Sequence, residues 1–211
     1  MSICNYFSNE DNLRERFIFN NIAPIYDLIT MGTKGKYKKA IDLLLRNVPV
    51  GGASVLDVGC GTGAWTNLFV NMGASRVVGV DQSEKMLKRA REKYPSIEFY
   101  LVNAMNMSMF DNDSFDIVTA SFVLHGPDRF HRNNILSEMV RIARNTVVIH
   151  DFDTGPLPFF TKLIELLERS HVLDFQQTFL SDLKLYGYGV SKISLSSHLA
   201  LYILNKKMYV A

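Results

Sequence analysis

The stretch Val55-Leu56-Asp57-Val58-Gly59-Cys60-Gly61-Thr62-Gly63 carries a short apolar run into three glycines at alternate positions. Glycine reaches backbone conformations closed to other residues, so such a turn lets a ligand approach bare main chain. Where the turn also opens a helix, the unpaired N–H groups of the first helical turn point at the same place. The pattern predicts a strand at Ser54 to Val58 and a helix at Ala64 to Met72 with Trp65, Leu68, Phe69 and Met72 inward. Alone, the loop has two readings, because Gly59, Gly61 and Ala64 also satisfy the dinucleotide pattern G-x-G-x-x-G/A.

Outward from this loop, strands and helices alternate. A second strand is expected at Arg76 to Val80, and Ser83 can cap a helix that buries Met86, Leu87 and Ala90. A third strand is read near Ile97 to Val102 and a fourth from Phe115 to Ser121. A helix with Ile135, Leu136, Met139 and Val140 inward leads to a fifth strand at Thr146 to His150. This rhythm predicts an α/β fold, a parallel sheet with helices on both faces. After residue 151 it changes: Leu157 to Arg169 and Phe175 to Tyr186 read as helices. Val190 to Leu195 and Leu199 to Asn205 read as an antiparallel hairpin at one end of the sheet, turning at Ser196-Ser197-His198. Before the loop, Tyr37, Ala40, Ile41, Leu44, Leu45 and Val48 trace one apolar helix face, stopped by Pro49 and Gly51-Gly52.

The 211 residues suit one domain with a sizeable core. Its expected parts are N-terminal helices at 1–50, a ligand-binding core at 51–150, a substrate-side insertion at 151–189 and the hairpin at 190–206. Lys+Arg 23 against Asp+Glu 21 is too balanced for a nucleic-acid footprint, so no nucleic acid is expected. A small basic cluster at Lys34, Lys36, Lys38 and Lys39 reads as the wet side of a helix. Two cysteines, Cys4 and Cys60, exclude a disulfide framework and a multi-cysteine zinc site. No apolar run approaches the roughly 20 residues of a membrane span, and a cytoplasmic location is expected. The sequence carries no signal for oligomeric state.

Two acids bear on the ligand. Asp57 lies two residues before Gly59, at the end of its strand. Unit charges about 4 Å apart interact by roughly 1 to 4 kcal/mol between bulk water and a protein surface. That is repulsive for a pyrophosphate and attractive for a cation. S-adenosylmethionine is cationic at its sulfonium and its amino group and carries no phosphate, so Asp57 favours it over a dinucleotide. Asp81, 22 residues after Gly59, can accept both hydrogen bonds of a ribose diol. After the third strand, Asn103 can accept from an adenine amino group, and a backbone N–H near Ala104 and Met105 can reach a ring nitrogen. With Ser121 and the His150-Asp151 pair, four successive strands end in polar residues, where open α/β sheets bind ligands.

These motifs resemble the class I S-adenosylmethionine-dependent methyltransferases: the Asp-x-Gly-x-Gly-x-Gly loop, the acid closing strand two, the polar-Ala pair after strand three, and the hydrophobic strand Phe115 to Ala120. The resemblance covers nearly the whole chain. It implies a three-layer Rossmann-like sandwich around a mostly parallel seven-stranded sheet whose last strand is antiparallel. The cofactor site it implies is Tyr26, Asp57, Gly59, Cys60, Gly61, Thr62, Gly63, Asp81, Gln82, Met86, Asn103, Ala104, Met105 and Ser121. Ile22-Ala23-Pro24-Ile25-Tyr26-Asp27-Leu28 looks like the start of ubiquinone/menaquinone biosynthesis C-methyltransferases, and there Tyr26 would cover the cofactor's methionine end. The chain departs from those enzymes where they carry glycine-arginine-asparagine after strand four, a glutamate after strand five and an aspartate at Asn103. It has Phe-Val-Leu-His and His-Asp-Phe-Asp in the first two places.

Methyl transfer from a sulfonium is an in-line displacement in which positioning alone supplies roughly 7 to 11 kcal/mol. A base is needed only where the nucleophile carries a proton. His125, His150 and Asp151 are the candidates, with His125 first because histidine titrates near neutrality; His131 reads as a surface residue and Cys60 as a small loop residue. The aromatics Tyr6, Phe7, Phe17, Phe19, Phe152, Phe159 and Phe160 would wall a site for a small apolar or aromatic acceptor. Two other readings stand at this point, a non-catalytic S-adenosylmethionine-binding protein and an NAD-dependent oxidoreductase.

Overall fold

The computed structural model describes residues 34–168 and 170–209. Tyr6, Phe7, Phe17, Phe19 and the 22–28 stretch with Tyr26 lie outside the described residues, as do the side chains of Lys34, Lys36, Tyr37, Lys38 and Phe160.

In chain order the elements are α1 (Lys34–Asn47), β1 (Ser54–Val58), α2 (Ala64–Asn71), β2 (Arg76–Asp81), α3 (Glu84–Lys93), β3 (Glu98–Leu101), β4 (Phe115–Ser121), α4 (Arg129–Ile142), β5 (Ala143–Phe152), α5 (Phe159–Glu168), α6 (Val172–Lys184), β6 (Tyr188–Ser194) and β7 (Leu199–Tyr209). The sheet runs β3-β2-β1-β4-β5-β7-β6. Its first five strands are parallel, and β7 is antiparallel to both β5 and β6. The expected C-terminal hairpin is therefore present, with β7 inside and β6 at the edge.

Strand order reverses between β1 and β4. Right-handed crossovers consequently put α2 and α3 on one face and α4 on the other, and a crevice opens where the loops after β1 and β4 diverge. The central strands are apolar on both faces, as a doubly covered parallel sheet requires: Val55, Leu56 and Val58 in β1, Ile117, Val118 and Ala120 in β4, and Val147, Val148 and Ile149 in β5 are all buried.

Local chemistry explains most boundaries. Ser83 caps α3 through an Oγ that accepts from Met86 N–H, and Asp128 caps α4 through an oxygen that accepts from His131 N–H. The face read for α1 is corrected at one place: Leu45 is exposed, and Leu43 instead packs partly against the core beside buried Ala40, Leu44 and Val48. β5 begins at Ala143 rather than Thr146. Its polar start is held by Asp116, whose Oδ1 accepts from Arg144 at 2.9 Å and from Asn145 at 3.3 Å. Among the described residues, no helix is long and apolar enough to cross a membrane.

Candidate active site

The glycine loop is built by its neighbours. Gly59, Gly61 and Gly63 take φ values of 69°, 54° and 80°, where other residues are strained. Gly59 and Cys60 both donate to the Val80 carbonyl, at 2.8 and 3.0 Å, which fastens the loop to the end of β2. A Cβ on Gly59 would stand 2.5 Å from a Val123 methyl, and one on Gly63 2.9 Å from the Tyr94 ring; on Gly61 it would meet nothing within 4 Å among the described residues. Two glycines thus serve packing, while Gly61 leaves open space at the tip. Cys60 is buried, and burial pushes its thiol well above the usual range, so it is a loop residue and no nucleophile.

Asp57 is buried in β1 with Thr66 of α2 above it. Its Oδ2 accepts from the Thr66 hydroxyl at 2.6 Å, and its Oδ1 has no donor among the described residues. Burial pushes the carboxyl up to about 7, against the Thr66 hydrogen bond and with some help from the Asp81 charge. An orphaned buried carboxylate oxygen is costly, and an ammonium group is the donor that would satisfy it. The amino group of S-adenosylmethionine fits that requirement; a pyrophosphate does not.

A pH dependence follows. The folded carboxyl titrates near 7 and the unfolded one near 4, so between these values the folded chain holds more protons, and this group's contribution to stability falls as pH rises. For a cationic ligand that needs the ionised form the sign is opposite. Affinity for S-adenosylhomocysteine is expected to fall by up to about tenfold per unit as pH drops below 7 and to level off above it. Calorimetric titrations from pH 5.5 to 8.5 measure this, and Asp57→Asn should abolish the slope.

Asp81 closes β2 and faces the loop. Its Oδ2 accepts from Gly61 N–H at 2.9 Å and its Oδ1 from Ser83 N–H at 2.8 Å. Burial raises its pKa while these hydrogen bonds to Ser83 and Gly61 oppose the shift. Each oxygen keeps a second lone pair, so the two can still accept from a ribose diol. Gln82 is exposed next to it, Thr62 is half-buried in the loop, and Met86 is buried in the first turn of α3. In the turn after β3, Asn103 Oδ1 accepts from Met105 N–H at 2.9 Å and keeps a second lone pair. Asn103 is exposed there, with Ala104 and Met105 half-buried.

The ends of β4 and β5 hold the titratable groups. Ser121 Oγ lies 2.9 Å from His150 Nδ1, and the His150 ring stacks on Trp65 with centroids 5.0 Å apart. Burial pushes His150 down to about 4, so it is neutral and weakly basic. His125 is different. It is buried, yet its Nδ1 stands 2.7 Å from Asp151 Oδ1, and Glu165 Oε2 lies 3.5 Å from its Nε2. Asp151 is fully buried and also accepts from the N–H groups of Leu124, at 3.1 Å, and Phe152, at 2.8 Å. Phe122, in the left-handed region at φ 56°, turns the chain after β4 and brings His125 back over β5.

His125 therefore faces the crevice end of the sheet with an orienting carboxylate behind it. His131 is no plain surface residue: it is half-buried, with Nδ1 2.8 Å from Asp128 Oδ2. Phe152 is core, and Phe159 is exposed. Sequence reasoning missed Thr66 and Glu165. Thr66 had a signal in its position nine residues after Asp57, on the first turn of the helix that the loop opens.

A known-protein comparison now decides the family. The model of a methyltransferase domain matches residues 55–146. A demethylmenaquinone methyltransferase of Lactococcus lactis is 32% identical over 192 residues, covering 85% of this chain and 74% of its own. The chain belongs to the class I S-adenosylmethionine-dependent methyltransferase family.

The methyltransferase is also similar to the ubiquinone/menaquinone biosynthesis C-methyltransferase of Campylobacter jejuni, 28% identical over 63% of this chain and 60% of that one. A magnesium protoporphyrin IX methyltransferase from Synechocystis, solved with bound S-adenosylmethionine, shares the fold, with a TM-score of 0.64 at 18% identity over 84% of this chain and 81% of that one. The cofactor of this methyltransferase is S-adenosylmethionine, and the dinucleotide reading of the loop is set aside, as the unsatisfied Asp57 oxygen already required.

Proposed function

We propose that this methyltransferase acts on a small, apolar, hydroxyl-bearing aromatic molecule, and that His125, oriented by Asp151, removes the hydroxyl proton. The observation that carries this reading is the 2.7 Å contact between His125 Nδ1 and Asp151 Oδ1 at the ends of β4 and β5. A carboxylate that accepts from Nδ1 keeps the proton there and leaves Nε2 as the basic face. An acceptor without an ionisable proton would need no such pair.

In this reading the cofactor lies along the glycine loop, held by the cofactor-site residues named from the sequence, with Asp57 toward its amino group and Asp81 on its ribose. Bound there, S-adenosylmethionine supplies an electrophilic methyl group. Asn103, whose Oδ1 also closes its own turn, would accept from the adenine amino group, and a backbone N–H near Ala104 would reach a ring nitrogen. Ser121 and His150 keep the β4–β5 ends rigid beside the methyl-donor end. His125 positions the hydroxyl, takes its proton and leaves an oxyanion whose electrons attack the methyl carbon. The segment after β5, residues 151–189, supplies part of the acceptor's walls.

The relatives named for demethylmenaquinone make a reduced prenylated naphthoquinone the first acceptor to try. The test is transfer of labelled methyl from S-adenosylmethionine to this quinol, to catechols and to simple phenols, beside matched acceptors whose hydroxyls are capped. Incorporation confined to acceptors with a free hydroxyl supports the proposal. Equal incorporation into the capped compounds would overturn it.

A further inference from the structure

A proton taken by His125 must leave a closed place. His125 and Asp151 are both buried. Asp151 is not the way out, because its two oxygens are already taken by two backbone N–H groups and the imidazole Nδ1. On the other side of the ring, Oε2 of Glu165 stands 3.5 Å from Nε2. Glu165 comes from α5, is buried, and accepts with that same oxygen from the Ser170 hydroxyl at 2.5 Å. Ser170 is half-buried. The atoms Nε2, Oε2 and Oγ thus step from the buried ring to a half-buried hydroxyl.

We infer that Glu165 is a proton-transfer group that empties His125 between turnovers, with Ser170 handing the proton to water. This rests on His125 being the base. In the methyl-transfer step an acceptor O–H bond breaks and an N–H bond forms at Nε2. The resulting anion bonds to the methyl carbon as the C–S bond breaks, its electron pair passing to sulfur. After the product leaves, the Nε2–H bond breaks and an O–H bond forms on Glu165. Ser170 accepts that proton on its oxygen while releasing its own to solvent. One proton is released per methyl group transferred, and no further reactant is needed. The 3.5 Å contact is the resetting arrangement, which an acceptor hydroxyl interrupts when it takes its place beside Nε2.

The relay can be tested without knowing the acceptor. In the full chain with ¹⁵N-labelled histidine, with His125 assigned by loss of its signals in His125→Gln, the pH is lowered until Nε2 is protonated, and exchange of that Nε2 proton with water is measured by line broadening. Glu165→Gln should slow this exchange at least tenfold, and Ser170→Ala should slow it several-fold. Glu165→Asp, which keeps the carboxylate, should stay within about threefold of wild type. The His150 and Trp65 ring signals report whether the fold is retained. Unchanged or faster exchange in folded Glu165→Gln would overturn the relay, as would exchange in Glu165→Asp as slow as in Glu165→Gln. Either result would leave the base reading intact, whereas full activity in a His125 variant would remove that reading without touching the exchange data.

Discussion

Asp81→Ala is expected to weaken binding of S-adenosylhomocysteine at least about 100-fold, since a hydrogen bond to a charged group is worth roughly 1.5 to 3 kcal/mol and two would be lost. The effect has two parts. The carboxylate would accept from a ribose diol, and it already fixes the loop by accepting from Gly61 and Ser83 N–H groups. Removing it leaves both donors unpaired, so thermal denaturation of the free protein should also show a loss of about 1 to 3 kcal/mol. Asp81→Asn separates the parts. Its amide oxygen can keep one loop contact, so stability should largely recover while affinity does not. Affinity within tenfold of wild type in Asp81→Ala would show that the ribose is held elsewhere.

His125→Asn should lower kcat by about 10² to 10⁴ while leaving the affinity for S-adenosylhomocysteine within about twofold, which is the span usual for a general base. Asp151→Asn is the sharper companion. An asparagine can donate to Nδ1, which would turn the ring to the tautomer whose Nε2 carries the proton and cannot accept one. Its loss of kcat should approach that of His125→Asn. The amide oxygen introduced by Asp151→Asn can still accept from the Leu124 N–H, whereas the Phe152 N–H, which shares its acceptor oxygen with His125, would lose its partner, so thermal denaturation should show a loss of about 1 to 3 kcal/mol with the fold retained. Product formation from labelled donor, on an acceptor found as described above, measures both. A His125→Asn enzyme with wild-type kcat would reduce the His125–Asp151 pair to a structural contact.

Much of the fold is legible in the sequence because its signals are local. The glycines that must take positive φ mark the β1–α2 turn, the Ser83 cap marks α3, and uninterrupted apolar runs mark strands covered on both faces. Leu45 is misread because the α1 stripe is drawn one residue too wide; the helix turns by about 100° per residue, which carries Leu45 past the buried edge and brings Leu43 in. The early start of β5 is hidden because Arg144 and Asn145 are polar, and only pairing with Asp116 from the neighbouring strand makes them strand residues.

The site divides in the same way. Asp57, Asp81 and the glycines are legible because chemistry and chain position coincide at strand ends. That Asn103 closes its own turn is not legible, since an asparagine that does so looks the same in sequence as one that does not. Glu165 is out of reach for another reason. It is a buried acid in a helix that also carries Thr161, Lys162 and Glu168, so nothing in the sequence sets it apart, and it is brought to His125 by packing between segments 40 residues apart.

The most direct test of the account is calorimetric titration of the full chain at pH 8 with S-adenosylhomocysteine, with NAD in a parallel run. The account predicts one site of micromolar affinity for S-adenosylhomocysteine, lost in Asp81→Ala and weakened at pH 6, with no heat from NAD. No binding of S-adenosylhomocysteine, or binding indifferent to Asp57 and Asp81, would contradict the placement of the methyl donor on which every later step depends.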